Sequence, residues 1–312
     1  MKKTIALLVL NYNDFQKTYN CLESCLRQKS DDIIVVLVDN ASTDNSLSRI
    51  KEIFKDKIEY LLLDKNWGYA GGNNRAVKTY HKRGLKYSFI LNNDVILVGD
   101  YLVSSLKKVI DNYESCAIVA PTIYNITSRG NVKVLNNSGY LKMLECFGVI
   151  KQNKVSCRNN INTINEAHGS AIFVDNSKFL EVNGFPEENF MYGDESVLAK
   201  KIINAGYNIL QYSSEEYFVE HHHDTTQGVD LWRLFLMGRN KVLETRYFNK
   251  DKLYVGRLCL EISLMYTALK MHNRNEKKAF FQGVKKGRKL ININASNEKI
   301  FEDAKMVLEE YI

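Results

Sequence analysis

The 312-residue sequence has no apolar run that approaches the about 20 consecutive residues needed to span a bilayer. The apolar stretch over residues 4–10 imitates a short secretory signal, yet it stops at Asn11 with no small-residue cleavage site. We therefore expect this stretch to be the first buried strand of a cytoplasmic protein.

Cysteine and proline are sparse, and neither marks a site or a boundary. The six cysteines show no CxxC pair and no metal-finger spacing. Cys21 and Cys25 lie four residues apart on a predicted helix, a spacing that suits packing and not a disulfide, so we expect reduced thiols. Only Pro121 and Pro186 occur, and no Gly/Ser-rich linker separates two domains.

The two common phosphate-binding loops are also absent. No GxGxxG follows the first predicted strand and no GxxxxGK[ST] occurs in the sequence, which argues against a dinucleotide site of the dehydrogenase type and against a P-loop. Any phosphates that the protein binds must be held in another way.

Strands alternate with single helices along the first hundred residues. After the first strand, apolar β-prone runs occupy residues 33–38, 58–63 and 86–91, and the predicted helices between them cover residues 14–29, 44–55 and 72–83. Such alternation is typical of right-handed βαβ units. We predict an α/β fold with a Rossmann-like, mostly parallel central sheet.

Each of these four strands ends in short polar residues. The groups are Asn11-Tyr12-Asn13, Asp39 to Asp44, Asn66-Trp67-Gly68 and Asn92-Asn93-Asp94. Asn and Asp favour turns for backbone reasons, and turn chemistry alone would explain one such group. Four groups at the edge where an open α/β sheet binds its ligands indicate one polar cleft.

Asp94 is the candidate metal ligand of this cleft. Its carboxylate, flanked by the amides of Asn92 and Asn93, can hold a hard divalent cation such as Mg²⁺ or Mn²⁺, with water and ligand phosphates completing the shell. Backbone amides of a glycine-bearing loop from Gly68 to Asn74 would add phosphate contacts.

The ordered motifs resemble those of glycosyltransferase family 2. They are Val9-Leu10-Asn11-Tyr12-Asn13, Val38-Asp39-Asn40-Ala41-Ser42-Thr43-Asp44-Asn45-Ser46, the loop from Asn66 to Asn74, and Leu91-Asn92-Asn93-Asp94-Val95. The set is most similar to the branch with many bacterial rhamnosyl-, galactosyl- and glucosyltransferases. The resemblance implies an inverting enzyme of the GT-A fold.

The resemblance also implies roles for single residues. Asn11, Tyr12 and Asp39 would line the nucleoside pocket, with Asp39 accepting hydrogen bonds from the base or ribose. Asp94 would be the last Asp of the family's metal-binding DxD, whose first position is Asn92 here, so that one metal carboxylate remains. The predicted nucleotide contacts further include Asn13, Asn66, Gly68, Asn73, Asn92, Asn93 and Arg239.

A second acidic site is predicted at Asp194 and Glu195, at the start of a helix with an apolar face that ends at Gly206. Carboxylates at a helix start often cap the backbone and complement the helix dipole, which is the structural explanation. The resemblance instead implies that one of them is the base that an inverting sugar transfer requires. It places Glu195 in that position, with Asp194 as the rival.

Three adjacent histidines, residues 221–223, follow a predicted strand. Because neighbours on a strand alternate faces, at most His221 and His223 can point at one ligand. The resemblance implies one histidine near the metal and the diphosphate, and we favour His221. A histidine cluster without a ligand is the alternative.

The C-terminal part is helical and basic. From Arg233 to Leu290 there are 15 Lys and Arg against 4 Asp and Glu, so this segment carries +11 of a chain whose net charge is +7. Residues 275–290 predict a basic amphipathic helix that suits an anionic membrane face, a dimer contact or plain solvent. Arg239 would reach the diphosphate, or else form a packing contact or salt bridge.

We therefore predict a GT-A catalytic domain over residues 1–225 and a helical extension over residues 226–312. The predicted enzyme moves a sugar from a nucleoside diphosphate donor, a UDP- or dTDP-sugar, to a saccharide or lipid-linked saccharide of a surface polysaccharide, with no nucleic-acid partner. It would act in the cytoplasm. Peripheral contact with the inner face of the membrane and a homodimer are both compatible with this prediction. The alternatives are a sugar-phosphate nucleotidyltransferase and a non-catalytic sugar- or nucleic-acid-binding protein.

Overall fold

The computed structural model describes residues 3–127, 130–134, 136, 138–152, 160–222, 230–248 and 250–311. The strands are β1 (Ile5–Asn11), β2 (Ile33–Asp39), β3 (Glu59–Leu62), β4 (Tyr87–Asn92), β5 (Val95–Val98), β6 (Cys116–Pro121), β7 (Ile123–Thr127), β8 (Gly130–Lys133), β9 (Ile161–Ile164), β10 (Ala171–Asp175), β11 (Asn208–Tyr212) and β12 (Phe218–His221). The helices are α1 (Phe15–Leu26), α2 (Ser46–Phe54), α3 (Gly68–Lys82), α4 (Leu102–Asn112), α5 (Gly139–Cys146), α6 (Asn176–Glu181), α7 (Asp194–Asn204), α8 (Leu231–Leu243), α9 (Leu253–Leu269), α10 (Arg274–Asn292) and α11 (Asn297–Tyr311). Short 3-10 turns cover Lys55–Lys57, Glu187–Asn189, Glu244–Tyr247 and Lys250–Lys252.

The central sheet has eight strands in the order β3-β2-β1-β4-β10-β6-β11-β9. Its first four strands pair in parallel, as the alternating pattern predicts. Their sequences are nearly continuous apolar runs because helices cover both faces of a parallel sheet. β1, for example, reads IALLVLN and is buried along almost its whole length. The predicted α/β architecture with a mostly parallel sheet is confirmed.

Strand β10 runs against its neighbours, and this reversal shapes the cleft. It pairs antiparallel with β4, so that Ala171 lies opposite Leu91. The amide of Asn92 at the end of β4 donates a 3.0 Å hydrogen bond to the carbonyl of Ser170. The residues just before β10 therefore lie at the carboxyl end of β4, beside Asn92 and Asp94.

A second sheet of four strands, in the order β5-β12-β7-β8, extends the fold at the same edge. β5 follows Asp94 directly and pairs antiparallel with β12, which places His221 opposite Val95. β12 also pairs in parallel with β7, which places His221 opposite Asn125. One short sheet thus joins three separate segments of the chain next to the end of β4.

The described part of the segment from residue 122 to residue 165 contains three strands and a helix. β7 and β8 form an antiparallel hairpin. They are followed by α5 and then by β9, which is the edge strand of the central sheet and pairs antiparallel with β11.

The C-terminal helices pack tightly on the catalytic sheet and on each other. A Cβ at Gly283 of α10 would lie 1.9 Å from the carbonyl oxygen of Phe235 of α8, and one at Gly238 would lie 2.3 Å from the carbonyl oxygen of Phe280. Glycine at both positions lets the two backbones touch. Apolar residues of β1, α8 and α10 belong to one continuous core cluster. The predicted helical C-terminal region is confirmed, and the boundary near residue 225 stays a prediction.

Among the described residues, no helix combines the length and the apolar character that a membrane crossing requires. Cys21, Cys25, Cys116, Cys146 and Cys259 are free thiols, as expected from their spacing.

Candidate functional site

The carboxyl ends of β1 and β2 meet in a network of short polar side chains. Asn11 donates from Nδ2 to Asp39 Oδ1 at 3.0 Å and to Ser42 Oγ at 3.0 Å. Ser42 in turn donates from its amide to Asp39 Oδ2 at 3.1 Å. Thr18 donates from its hydroxyl to Asn11 Oδ1 at 2.7 Å. Asp39 is thus a buried acceptor whose carboxylate is held in one orientation by these hydrogen bonds.

Tyr12 and Asn13 lie on the outer side of this network. Tyr12 is 45% exposed. Asn13 has a left-handed backbone (φ 55°), and its side-chain oxygen accepts a 2.7 Å hydrogen bond from the amide of Thr43. Asn11 and Asp39 therefore organise the turn, while Tyr12 offers an accessible ring. The predicted nucleoside contacts of all four residues stay predictions.

The predicted glycine-bearing loop is part of a helix. Gly68 begins α3 with a left-handed backbone (φ 68°), and a Cβ there would lie 2.3 Å from the carbonyl oxygen of Phe190. Asn66 Oδ1 accepts from the amide of Gly68 at 2.8 Å, and Asn73 is fully buried with Nδ2 donating to the carbonyl of Tyr69. The segment from Gly68 to Asn74 is therefore the start of α3 and not an open loop, and its predicted phosphate contacts stay a prediction.

This local structure positions the side chain of Tyr69. The first turn of α3 directs the Tyr69 side chain to the cleft, where its hydroxyl donates a 2.7 Å hydrogen bond to the carbonyl of Gly169. Burial raises the pKa of the Tyr69 phenol well above its ordinary value, and the carboxylates of Glu195 and Asp194 raise it further. Tyr69 is therefore a neutral donor at physiological pH.

Asp94 and His221 meet at the centre of the cleft. His221 Nε2 lies 3.3 Å from Asp94 Oδ2, and His221 Nδ1 lies 2.9 Å from Asn125 Oδ1. The amide of His222 donates a 2.8 Å hydrogen bond to the carbonyl of Asp94. If Nδ1 carries the proton and donates to Asn125, Nε2 presents its lone pair on the side of Asp94. His223 lies outside the described residues.

The remaining amides of the strand-end motif split between two roles. Asn92 lines the pocket with Asp94. Asn93 turns away from it, and its Nδ2 donates a 3.0 Å hydrogen bond to the hydroxyl of Thr18. Asn93 therefore connects the motif to α1, and its predicted nucleotide contact stays a prediction.

The donor set fits a hard divalent cation that shares its shell with a ligand. The carboxylate of Asp94, the imidazole of His221 and the amide of Asn92 line the same pocket. No group of three or more His, Cys, Asp or Glu side chains with metal-binding geometry occurs among the described residues. A cation here would therefore depend on oxygens from a phosphate ligand and from water.

His168 is a site residue to which the sequence analysis assigned no role. It lines the pocket, and its ring centroid lies 5.5 Å from that of His221 in an edge-to-face arrangement. Its Nδ1 lies 2.8 Å from the hydroxyl of Ser170. The reversal of β10 brings it there, and the only local signal is the Gly169-Ser170 pair that follows it.

The acidic doublet lines the same pocket. The loop before α7 has left-handed backbones at Phe190 (φ 69°), Tyr192 (φ 71°) and Gly193 (φ 77°). This turn carries Asp194 and Glu195 into the first turn of α7. The side chain of Glu195 packs on Gly169, where a Cβ would lie 2.1 Å from Oε1. Glycine at position 169 therefore leaves the space that the carboxylate occupies.

Burial raises the pKa of both carboxyls. It raises the pKa of Asp194 well above its ordinary value, and the neighbouring Glu195 raises it further, while Asn189 partly opposes the shift. Burial also raises the pKa of Glu195, although the backbone at Glu195 and Gly169 favours its charged form. Asp194 is 1% exposed, whereas Glu195 is partly exposed to the pocket.

A third carboxyl lies behind the doublet. Burial raises the pKa of Glu166 to about 7, and the charge of Glu195 contributes to the shift. Ser196 donates to Glu166 Oε2 at 3.1 Å. Such a cluster of carboxyls with raised pKa values is typical of sites that move protons.

The pocket that these residues enclose has a volume of about 530 Å³, which is large enough for a hexose and part of a diphosphate. Asp94 and the acidic doublet, a hundred residues apart in sequence, therefore face one space. Two cations, Lys17 and Arg233, also line it, and Arg233 Nε lies 3.2 Å from Asp230 Oδ2.

Arg239 is not among the lining residues. Its side chain is fully buried, and its guanidinium donates to the carbonyl of Ile300 at 2.8 Å and to the carbonyl of Asn189 at 3.2 Å. It also forms a 3.1 Å ion pair with Asp303 of α11. These partners occupy the guanidinium in the protein interior, so of the two roles that the sequence left open the structure supports packing and ion pairing.

Asn240, the neighbour of Arg239, holds the loop that precedes the doublet. Its Nδ2 donates to the carbonyls of Asn189, Met191 and Tyr192 at 3.2, 2.7 and 2.9 Å. Left-handed residues of this kind persist when the surrounding structure holds them. Arg239 and Asn240 together therefore fix the loop whose end positions the two carboxyls.

Comparison with known proteins identifies the family of the chain. The family model described as glycosyl transferase family 2 matches residues 7–173. The low-salt glycan biosynthesis hexosyltransferase Agl10 of Haloferax volcanii is 24% identical over 280 residues, which are 84% of this chain and 83% of that protein. A teichoic acid poly(glycerol phosphate) polymerase of Staphylococcus epidermidis is 32% identical over 77 residues, 24% of this chain and 11% of the polymerase.

Solved structures share the fold at low identity. S. aureus TarS 1–349, solved with UDP-GlcNAc, superposes with a TM-score of 0.60 at 15% identity and covers 90% of this chain and 79% of that one. The chain spans 46% of the longer TarS chain. The mannosyltransferase PcManGT of Pyrobaculum calidifontis, solved with GDP-Man and Mn²⁺, gives a TM-score of 0.54 at 14% identity, with 99% and 75% coverage.

The predicted GT-A fold is confirmed by these neighbours. The family match covers more than half of the chain and includes all four strand-end motifs. The chain belongs to glycosyl transferase family 2 and is a glycosyltransferase.

Proposed function

We propose that the protein is an inverting glycosyltransferase that moves a sugar from a nucleoside diphosphate to a hydroxyl of a saccharide acceptor. The observation that supports it best is the shared pocket, which Asp94 and His221 line together with the Asp194–Glu195 doublet. Inversion requires a base on the side of the sugar opposite the leaving group. The proposed metal ligands Asp94 and His221 and the acidic doublet, which line one sugar-sized pocket, would meet that requirement.

A divalent cation held by Asp94 and His221 would neutralise negative charge on the departing diphosphate. The chain's own part is to fix those ligands. The antiparallel pairing of β5 with β12 positions His221, and Asn125 selects the orientation of its ring. Mn²⁺ in the structures of PcManGT and GalNAc-T7 supports a cation of this class, and we propose Mg²⁺ or Mn²⁺.

Glu195 is the base in this proposal. It removes the proton of the acceptor hydroxyl while the hydroxyl oxygen forms a bond to the anomeric carbon. The bond from that carbon to the diphosphate oxygen breaks, and its electron pair leaves with the nucleoside diphosphate. The raised pKa of Glu195 makes it a stronger base than an ordinary carboxylate.

Asp194 has a supporting role in this scheme. Burial and the neighbouring Glu195 raise the pKa of Asp194, which favours a neutral Asp194 beside a charged Glu195. A neutral Asp194 also avoids placing two negative charges side by side. Asp194 stays the alternative base until variants distinguish the two.

The donor in this proposal is a UDP- or dTDP-sugar. Asn11, Tyr12, Asn13 and Asp39 form its nucleoside side, and Asn66, Gly68, Asn73 and Asn93 support the walls. Lys17 and Arg233 are the cations that line the pocket, and we assign them the diphosphate contact first expected of Arg239. UDP-GlcNAc in TarS supports a donor of this class.

The acceptor we propose is a saccharide of a surface glycan, carried on a lipid at the inner face of the membrane. Glycan synthesis by the related hexosyltransferase Agl10 supports the saccharide class. The concentration of positive charge in the C-terminal helices supports the location.

The test is metal-dependent turnover of nucleotide sugars by purified protein. Screening UDP- and dTDP-sugars for thermal stabilisation with Mn²⁺ identifies the donor, after which release of the nucleoside diphosphate is measured. Asp94→Asn and Glu195→Gln should each reduce turnover by at least about a hundredfold, as removal of a general base or metal ligand does. Asp100→Asn, an exposed ion-pair carboxylate on the surface, is the matched control.

Unchanged turnover in Asp94→Asn and Glu195→Gln would refute the assigned roles. Release of pyrophosphate from a nucleoside triphosphate and a sugar phosphate would instead indicate a nucleotidyltransferase. Binding of nucleotide sugars without any turnover would indicate the non-catalytic alternative.

A further inference from the structure

Helix α9 is apolar on two opposite faces. Its inner face, with Cys259, Leu260, Leu264 and Ala268, is buried in the protein core. Its outer face carries six large apolar side chains that are all exposed: Tyr254, Leu258, Ile262, Met265, Tyr266 and Leu269. Arg257 and Glu261 are also exposed on α9. A helix with apolar residues on two faces normally has both faces covered by protein or by lipid.

The exposed apolar residues form one continuous stripe. They follow each other at spacings of mostly three or four residues, so successive turns of α9 place them on the same side. Tyr254 and Leu269, near the two ends of the stripe, are 84% and 77% exposed. The stripe runs the length of a 17-residue helix, about 25 Å. This exceeds the scattered single apolar residues that any surface carries.

Helix α10 provides a basic face beside that stripe. The apolar face of α10 is used up against α8, where Gly283 and Gly287 allow backbone contact. Its free face carries Phe281, 47% exposed, surrounded by exposed cations. These are Arg274, Lys277, Lys278, Lys285, Arg288 and Lys289.

The two faces are joined to each other. Arg288 of α10 pairs with Glu261 of α9 at 2.7 Å, next to the apolar stripe. Over residues 253–292 there are nine Lys and Arg against two Glu, a net of +7. The net charge of this one helix pair therefore equals that of the whole chain.

We propose that the outer faces of α9 and α10 form a membrane-docking surface for an anionic bilayer. The α9 stripe would lie in the headgroup region with its apolar side chains inserted, and the α10 cations would contact the lipid phosphates. The sequence alone pointed to residues 275–290 as an amphipathic helix, but their apolar face is buried, so α9 supplies the insertion and α10 the charge.

Charge favours a bilayer over a second copy of the chain. A symmetric dimer through this surface would bring two segments of +7 together, and the like charges would repel. An anionic bilayer has the opposite charge, and each Lys or Arg near its surface adds attraction. Tyr254 and Tyr266 also suit the boundary between headgroups and acyl chains, where aromatic rings with a polar group are favoured.

This inference deepens the proposed function, because a surface that docks on lipid would bring the pocket to a lipid-carried acceptor. Its test is separate from sugar transfer. The full chain is mixed with vesicles of phosphatidylglycerol and phosphatidylcholine, or of phosphatidylcholine alone, and the fraction that floats with the vesicles is measured. We expect flotation with the anionic vesicles only, and a marked loss at 0.5 M NaCl, as electrostatic attraction requires.

Two double variants test the two faces. Ile262→Asp with Met265→Asp removes insertion, and Lys278→Glu with Lys285→Glu reverses charge. Each should weaken vesicle binding at least about tenfold. Ile53→Asp is the matched control, because Ile53 of α2 is exposed to nearly the same degree as Ile262, 44% against 47%. Its vesicle binding should equal that of the unmodified protein.

Hydrolysis of the nucleotide sugar without vesicles is measured for every variant. If it is unchanged while flotation is lost, the docking surface is supported and misfolding is excluded. Absence of flotation in the unmodified protein, or equal flotation in all variants, would overturn the inference whatever the enzyme's activity. A dimer in solution that Ile262→Asp converts to a monomer would overturn it in favour of a second copy. Loss of turnover with intact flotation would count against the proposed function alone.

Discussion

His221 Nε2 lies 3.3 Å from Asp94 Oδ2 because the strand that ends at His221 pairs antiparallel with the strand that begins right after Asp94. The contact therefore depends on a second sheet and not on chain proximity. The same sheet places Asn125 at 2.9 Å from the other ring nitrogen. A short structural element thus sets both the position and the orientation of the imidazole.

The first prediction concerns Asn125. Replacing it with Val should weaken Mn²⁺ binding about ten- to a hundredfold, because a side chain that orients a metal-binding histidine has effects of this size. Binding is measured by titration of Mn²⁺ in the presence of the nucleoside diphosphate. Asn131→Val in β8 is the control, since Asn131 is exposed and lies opposite Ile126 in the same sheet. Equal Mn²⁺ affinities of Asn125→Val and the unmodified protein would contradict this role.

The second prediction concerns the pH dependence of stability. A carboxyl whose pKa is raised in the folded state lowers the stability of the protein as pH rises above the unfolded pKa of about 3.9. This loss of stability reaches its full size once the pH exceeds the pKa of the folded state. Asp194→Asn should therefore be more stable than the unmodified protein by about 1–3 kcal/mol at pH 8, and by less at pH 5. Urea unfolding at the two pH values measures the difference. A gain that is equal at both pH values would count against burial of a titrating carboxyl.

The third prediction concerns Arg239 and Asn240 as positioning residues. Asn240→Ala removes three hydrogen bonds to the loop before the acidic doublet, so we expect kcat to fall about ten- to a hundredfold with little change in the KM for the donor. Arg239→Lys keeps the charge but cannot serve the carbonyls of Ile300 and Asn189 together, and it should lower kcat as well.

Arg288→Lys, on the exposed pair with Glu261, is the control for Arg239→Lys. A purely structural role would lower the free energy of unfolding and leave the kcat of the folded fraction unchanged. Active-site titration together with kcat therefore distinguishes positioning from stability. An unchanged kcat per active site in Asn240→Ala would show that the loop does not depend on this amide.

The fourth prediction concerns the contact of α8 with α10. Gly283→Ala places a methyl group 1.9 Å from the carbonyl oxygen of Phe235, so the helices must separate, and we expect a loss of about 1–3 kcal/mol in the free energy of unfolding. Gly139→Ala in α5 is the control, because a Cβ there meets no atom within 4 Å and alanine favours helix. Thermal unfolding of both variants measures the difference. Equal melting temperatures would show that the two helices are not in contact at Gly283.

The sequence was most informative where structure is local. The first four strands, the helices between them and the polar residues at their ends follow from apolar periodicity and turn chemistry, and parallel pairing then brings the ends together. Asp94 was identified because it follows a strand end at the edge where α/β sheets bind ligands. Asp194 and Glu195 were identified through the resemblance to glycosyltransferase family 2. All three line the pocket.

What could not be predicted depends on pairing over long distances. His168 reaches the pocket only because β10 runs against β4, and strand direction is not encoded in the periodicity of a short apolar run. Arg239 is buried because α11 supplies Ile300 and Asp303 some sixty residues later. The helix start at Gly68 was missed since two adjacent glycines normally weaken a helix.

The continuous core between the sheet and the C-terminal helices has a practical consequence for anyone who trims this protein. A fragment that stops near residue 225 would leave without cover the apolar side chains that now pack against Leu234, Val242 and Phe280. It would also lack Asn240, which holds the turn in front of Asp194. Such a fragment should aggregate on expression, so the shortest active form of this enzyme has to include the C-terminal helices.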